Sequence, residues 1–313
     1  LVALLATGGS TNHSIHMLAV ARCAGIIITW EDLNALSKMV PLVCSMYPNG
    51  SADINQFHAA GGTALLIKEL LSEQLLFDDI ETVMGTGYAA YLQEPCINNQ
   101  QLSWQVGVNK SMDVTVIADI KKPFKDQGGM ILLQGNLGRT IVKISAVAEK
   151  YWKISAPAVV VKNQQELTQR FQAGDLPKNF VLVLPGMGPK ACGMPELHQL
   201  MPALGALQDA GGQVALITDG RLSGASGKVL SAIHVVPEAA EGGLIGKILD
   251  GDTINLDVHS GLIEIMPGTN IDISSRPEWN GDTQTQGLGR EFFSGFRQRV
   301  TPADQGAMSI DWE

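Results

Sequence analysis

Residues 180–228 read FVLVLPGMGPKACGMPELHQLMPALGALQDAGGQVALITDGRLSGASGK, and their reading decides the fold. FVLVLP (180–185) and QVALITD (213–219) are almost unbroken apolar runs of strand length, the pattern of strands buried on both faces. Between them PELHQLMPALGALQDA (195–210) has helical composition, with Pro195 placed at its start and Gly211 and Gly212 ending it. Strand, helix and strand make a βαβ unit, whose right-handed crossover predicts two parallel neighbouring strands. The loops leaving their carboxyl ends, GMGPKACGMPE and GRLSGASGK, then share the edge where α/β sheets bind ligands. Glu196 and Ser223 are expected in one site on that ground.

Working outward, TGGSTN (7–12) places two glycines before three good capping residues, and HSIHMLAVARCAG follows as a helix closing on Gly25. Thr29 with Asp32 caps LNALSKMV, Asp53 opens INQFHAA, and TALLIKELLSEQLL has amphipathic spacing. Residues up to about 112 thus read as mostly helical. From VTVIAD at 114 the runs become short and β-branched (MILLQGN, TIVKIS, AVVVK), and Asp-Gly and Ser-Gly turns divide ILDGDTINLDVHSGLIEIMP. The expected division is 1–112, the end of an α/β domain, and 113–313, a β-rich domain with a polar tail carrying one helix at REFFSGFRQRV.

The 313 residues carry a net charge of -9, which repels phosphodiester, and no basic stripe interleaved with aromatics offsets it. Nucleic acid is excluded as a partner. No apolar run reaches the roughly 18 residues of a membrane span. The four cysteines, Cys23, Cys44, Cys96 and Cys192, form no short-spaced pair, which fits a reducing compartment, the cytoplasm. The chain opens without methionine inside an apolar run, as expected of a piece of a longer polypeptide.

Two readings stand for each candidate residue. Ser223 is no hydrolase elbow, because Gly220-Arg221-Leu222-Ser223-Gly224 sets the first glycine one place too far away. A bare hydroxyl needs a neighbouring base or metal, and Glu196 offers an oxygen ligand to a hard ion such as Mg²⁺. The alternative is a serine satisfying turn backbone and a glutamate beside a helix N-terminus. Ser10, Thr11 and Asn12 form either an anion-binding helix start or an ordinary cap. Arg221 and Lys228 suit an anionic substrate or are ordinary surface cations. His13 and His16, one turn apart, lack a carboxylate partner for metal. Cys192 is either a metal-binding or reactive thiol in the site loop or, as a lone cysteine beside glycines, a small filler.

Taken together, ATGGSTNHSIHMLAVARCAGI, QGNLGRTIVKISAV, GPKACGMPELHQLMPALGALQD, ALITDGRLSGASGK and HVVPEAAEGG resemble the dihydroxy-acid and sugar-acid dehydratase family, in order over nearly the whole chain. The GPKACGMPELH, GASGK and TGGSTNH forms are most similar to its 6-phosphogluconate branch. The resemblance implies a swivelling β/β/α second domain, a homodimer, and loss of water from a 2,3-dihydroxy acid to give a 2-keto-3-deoxy acid. It implies Ser223 as the base, Glu196 as a magnesium ligand, and an iron-sulfur cluster drawing off the C3 hydroxyl. The cluster cysteines and remaining magnesium ligands belong to an N-terminal portion outside these residues, so no iron-sulfur ligand is expected here and this chain by itself is expected to be inactive. Where relatives carry threonine two places beyond the serine, this chain has Ala225. Rival readings are a sister sugar-acid or dihydroxy-acid dehydratase and a non-catalytic anion-binding module.

Overall fold

A computed structural model describes residues 1–222, 227–266, 273–281 and 291–310. The chain divides into two compact units, one of residues 1–9 and 35–129 and the other of 10–34 and 130–313. Helices α1 (Val2–Ala6), α2 (His13–Cys23), α3 (Trp30–Ser37), α4 (Ile54–Ala60) and α5 (Gly62–Ser72) occupy the first part of the chain. Their ends follow local chemistry: Thr29 and Asp32 bond reciprocally before α3, and Asp53 with Gln56 forms a capping box at α4.

In the first unit α4 and α5 are followed by the two-residue strands β1 (Glu81–Thr82) and β2 (Gly85–Thr86) and by a hairpin of β3 (Gln93–Asn98) and β4 (Gln101–Val106). The expectation of mostly helix up to 112 missed this hairpin. Its two-residue turn places Asn99 and Gln100 at positive φ, a conformation asparagine tolerates and glutamine does not advertise. VTVIAD at 114 is likewise no strand. It is a turn with one isolated bridge, Cys44 to Ile117, and the segment stays with the first unit because Leu42 N donates to Lys125 O and Ala118 N to Val43 O.

The second unit is a closed eight-stranded barrel of mixed direction. Its strands are β5 (Met130–Gly135), β6 (Gly138–Lys143), β7 (Lys153–Val160), β8 (Phe180–Leu184), β9 (Val214–Thr218), β10 (Leu230–Val236), β11 (Thr253–Asp257) and β12 (Leu262–Ile265). Around the barrel the order is β10-β6-β5-β12-β11-β7-β8-β9. Helices α6 (Gln164–Ala173), α7 (Pro189–Cys192), α8 (Met201–Asp209) and α9 (Ser294–Arg299) belong to the same unit. The β-rich reading of the second half is correct, and the Ser-Gly turn does join the hairpin β11–β12.

The alternation within β8 and β9 explains their unbroken apolar runs. Val181, Val183, Ala215 and Ile217 belong to the core enclosed by the barrel, while Phe180, Leu182, Leu184, Val214 and Leu216 pack with Leu167, Leu200 and Leu204 of the α6 and α8 layer. Each such side chain contributes about 1.5–3 kcal/mol by leaving water, so neither face tolerates a polar residue. Residues 10–34 join this unit through Trp30, which is fully buried, donates Nε1 to Ser14 O at 3.0 Å and lies under the Arg139 guanidinium at 5.7 Å. Arg139 in turn donates to both Glu31 oxygens at 2.7 Å.

Candidate functional site

β8 and β9 are parallel neighbours, with Phe180 opposite Val214 and Leu184 opposite Thr218. The two loops therefore leave the sheet side by side, as the βαβ reading requires. Thr218 Oγ1 donates to Leu184 O at 2.7 Å and accepts from Gly220 N at 3.0 Å, which stitches the strand ends together. Beyond them Glu196 and Arg221 form a parallel backbone bridge. Arg221 Nε donates to Met194 O at 2.8 Å and Nη1 donates to Glu196 Oε2 at 3.0 Å. Both side chains are about one-third exposed, at 34% and 30%, so the pair borders solvent rather than the core.

Glu196 is not a helix-N-terminal acid. The expected helix from Pro195 begins only at Met201, after a 3₁₀ turn over His198–Leu200, because Met194 has φ +56° and Glu196 is held in a parallel bridge to Arg221. Gly220 permits this approach: a Cβ there would lie 2.5 Å from Met187 Cβ and 2.9 Å from Leu197 Cδ1.

Three buried polar residues that sequence reasoning missed hold the loops. Asp219 is fully buried and accepts from Gly186 N (3.0 Å), Met187 N (2.7 Å) and Ala239 N (2.9 Å). Burial pushes its carboxyl up from the usual aspartate value while the backbone donors oppose the shift. Glu238 accepts from Lys190 N and Ala191 N at 2.8 and 3.1 Å and fills the space a side chain at Gly188 would need. His234, on β10, is fully buried and donates its main-chain N–H to Gly220 O at 3.0 Å. The available sequence signal was position: Asp219 stands directly after an apolar strand, His234 lies near the end of β10, and Glu238 follows Pro237 just beyond it.

The remaining candidates divide. Asn12 sits at the start of α2 but makes no side-chain cap bond; its N–H donates to Ser10 Oγ at 3.3 Å, its buried Oδ1 has no partner among the described residues, and Thr11 is buried. The helix they open reaches the site edge through Ser14, which shares a 3.3 Å hydrogen bond with His234 Nδ1. Lys228 goes elsewhere. Its ammonium pairs with Asp209 at 2.6 Å and its carbonyl accepts from Gln208, near the amino ends of β9 and β10 and so at the opposite end of the strands from Gly220. Ser223 and Ala225 lie outside the described residues.

Among the described residues no group of three His, Cys, Asp or Glu side chains could hold a metal ion. Glu196 offers one carboxylate oxygen pair, already engaged by Arg221, so among the described residues it would be a single ligand for an ion such as Mg²⁺. The cysteines do not fit an iron-sulfur cluster: Cys44 is buried with its thiol pushed up to about 12 by desolvation, and Cys23, Cys96 and Cys192 assemble no common site. A cavity of about 400 Å³ adjoins α7, lined by Ala191, Cys192, Phe293, Phe296 and Arg297, but neither Glu196 nor Arg221 opens into it.

Comparison with known proteins matches residues 1–91 to the dihydroxy-acid/6-phosphogluconate dehydratase N-terminal family and residues 115–307 to its C-terminal family. The chain belongs to the dihydroxy-acid/6-phosphogluconate dehydratase family. Phosphogluconate dehydratase of Escherichia coli strain K12 is 49% identical over 312 residues, 99% of this chain and 52% of that protein. The protein of that name from Helicobacter pylori strain J99 is 47% identical over 320 residues, again 99% and 52%. Dihydroxy-acid dehydratase of Sulfurisphaera tokodaii is 34% identical over 266 residues, 84% of this chain and 45% of that protein. The chain thus spans about half the length of these family members. No helix among the described residues is long and apolar enough to cross a membrane.

Proposed function

We propose that this chain forms part of a hydro-lyase that dehydrates 6-phospho-D-gluconate to 2-dehydro-3-deoxy-6-phosphogluconate, the reaction class of sugar-acid breakdown. The higher identity to proteins named phosphogluconate dehydratase, 49% against 34% for a dihydroxy-acid dehydratase, favours the phosphorylated sugar acid over a sister substrate. The observation that carries the reading is the Glu196–Arg221 bridge, which sets a carboxylate and a guanidinium at one edge of the barrel, two residues before Ser223.

In this reading Ser223 takes the C2 proton, the C3 hydroxyl departs with it as water, and the resulting enol becomes the 2-keto acid. Arg221 holds Glu196 oriented and contributes positive charge toward the substrate carboxylate, with Ser10, Thr11 and Asn12 as further anion contacts. When bound, Mg²⁺ and an iron-sulfur cluster supply the Lewis acidity that a weakly acidic C2–H and a poor leaving hydroxide require. Glu196 would give Mg²⁺ one oxygen, and the cluster takes no ligand from these residues. Lys228 is left out of the site on account of its place beside Asp209. A homodimer is the assembly we infer, and a cytoplasmic location accords with four cysteines that form no disulfide.

Turnover of gluconate 6-phosphate against unphosphorylated gluconate by the intact protein tests the substrate; preference for the latter counts against it. Ser223→Ala should abolish turnover with fold and cofactors retained. Undiminished turnover would leave only an anion-binding role for the loop.

A further inference from the structure

We propose that His234 is a positioning residue for the site loop, holding Gly220 and Arg221 from behind through its own main chain and through Ser14. The inference rests on the dehydratase reading and adds to it a residue that touches neither substrate nor metal.

Three observations converge on it. First, His234 has φ +60° inside strand β10, where the pairing with β6 shifts register between Ile233 and Val236. A strand residue in the left-handed region is strained, and the irregularity turns its N–H away from the barrel ladder and onto Gly220 O. Second, the imidazole is completely buried, yet Nε2 has no hydrogen-bond partner among the described residues. A leucine would fill such a place without an unsatisfied polar atom, so packing alone does not account for a histidine. Third, among the described residues the ring bonds Ser14 Oγ, and Ser14 is itself buried and anchored by Trp30 Nε1 on its carbonyl. The contacts run without a gap from Trp30 to Ser14, His234, Gly220, Arg221 and Glu196.

Burial, followed by the nearby charges of Arg221 and His16, holds the ring neutral well below the usual histidine range. The ring is therefore a neutral strut near neutral pH. Since no atom of His234 reaches solvent, its effect passes through the main chain at Gly220 and so to Arg221 and Leu222, from which the chain enters Ser223.

The test uses the intact protein and two readouts, hydrogen exchange at residues 219–222 and steady-state kinetics. Ser14→Ala, which leaves the strand backbone alone, should speed exchange and lower kcat about tenfold with KM nearly unchanged, as expected for a misplaced rather than a missing group. His234→Asn accepts the left-handed backbone and keeps a polar atom near Nδ1, so it should stay within about threefold of the parent in both. His234→Ala should be the most impaired in both, and if it fails to fold the other two variants decide. Wild-type exchange and kcat in Ser14→Ala would overturn the proposal. So would a folded His234→Asn as inactive as His234→Ala, because that assigns the effect to Nε2 itself. If the parent does not turn over gluconate 6-phosphate, the dehydratase reading fails separately, and exchange alone decides the positioning role.

Discussion

Arg221 and Glu196 are joined twice, by a parallel backbone bridge and by a 3.0 Å contact from Nη1 to Oε2. The double link fixes the separation of the two loops that the βαβ unit brings to one edge. Because both side chains are partly exposed, their ion pair contributes under about 1 kcal/mol to stability. Glu196→Gln should therefore leave the urea midpoint nearly unchanged while lowering dehydratase turnover about a hundredfold or more. Equal losses of stability and turnover would mark the pair as structural.

Asp219 is a different case, since its carboxylate serves three buried N–H groups. Asp219→Asn presents an amide nitrogen to at least one of those donors and should destabilise the second unit by about 3 kcal/mol, read from urea unfolding. A variant as stable as the parent would mean that the loops are held without it.

Gly220→Ala introduces a Cβ 2.5 Å from Met187 Cβ. The loops must separate, at a cost of about 1–3 kcal/mol by analogy with overpacked cores. Turnover should fall with stability, because the displacement lies directly before Arg221.

His234 also predicts an acid response. Its folded value is lowered to about 3 from 6.5, chiefly by burial. Between those two values the unfolded chain binds a proton that the folded chain refuses, so stability is full above about pH 6.5 and falls as pH drops toward 3. Asp219 and Glu238, shifted upward, act with the opposite sign, losing stability as pH rises through their folded values. Comparing stability against pH for the parent and His234→Asn isolates the histidine: the variant should show a flatter loss between pH 6.5 and 3, and matching curves would refute this assignment.

What local sequence determined, it determined through short-range physics. The apolar runs at 180–184 and 214–218 could bury both faces only as parallel strands around a crossover, and that alone brought the Glu196 and Arg221 loops together. The Asp53 capping box and the glycine stop after α2 were legible for the same reason, since each motif satisfies its own backbone. Tertiary structure decided the rest. Pro195 looked like a helix start, but the bridge from Glu196 to Arg221, a residue distant in sequence, delayed the helix to Met201. Lys228 followed the site motif in sequence, yet the chain had by then returned to the amino ends of the strands, where Asp209 meets it. Asp219, His234 and Glu238 were marked in sequence by nothing beyond their places after or near strand ends, because most of their partners are main-chain N–H and C=O groups of distant loops, which every residue type presents alike.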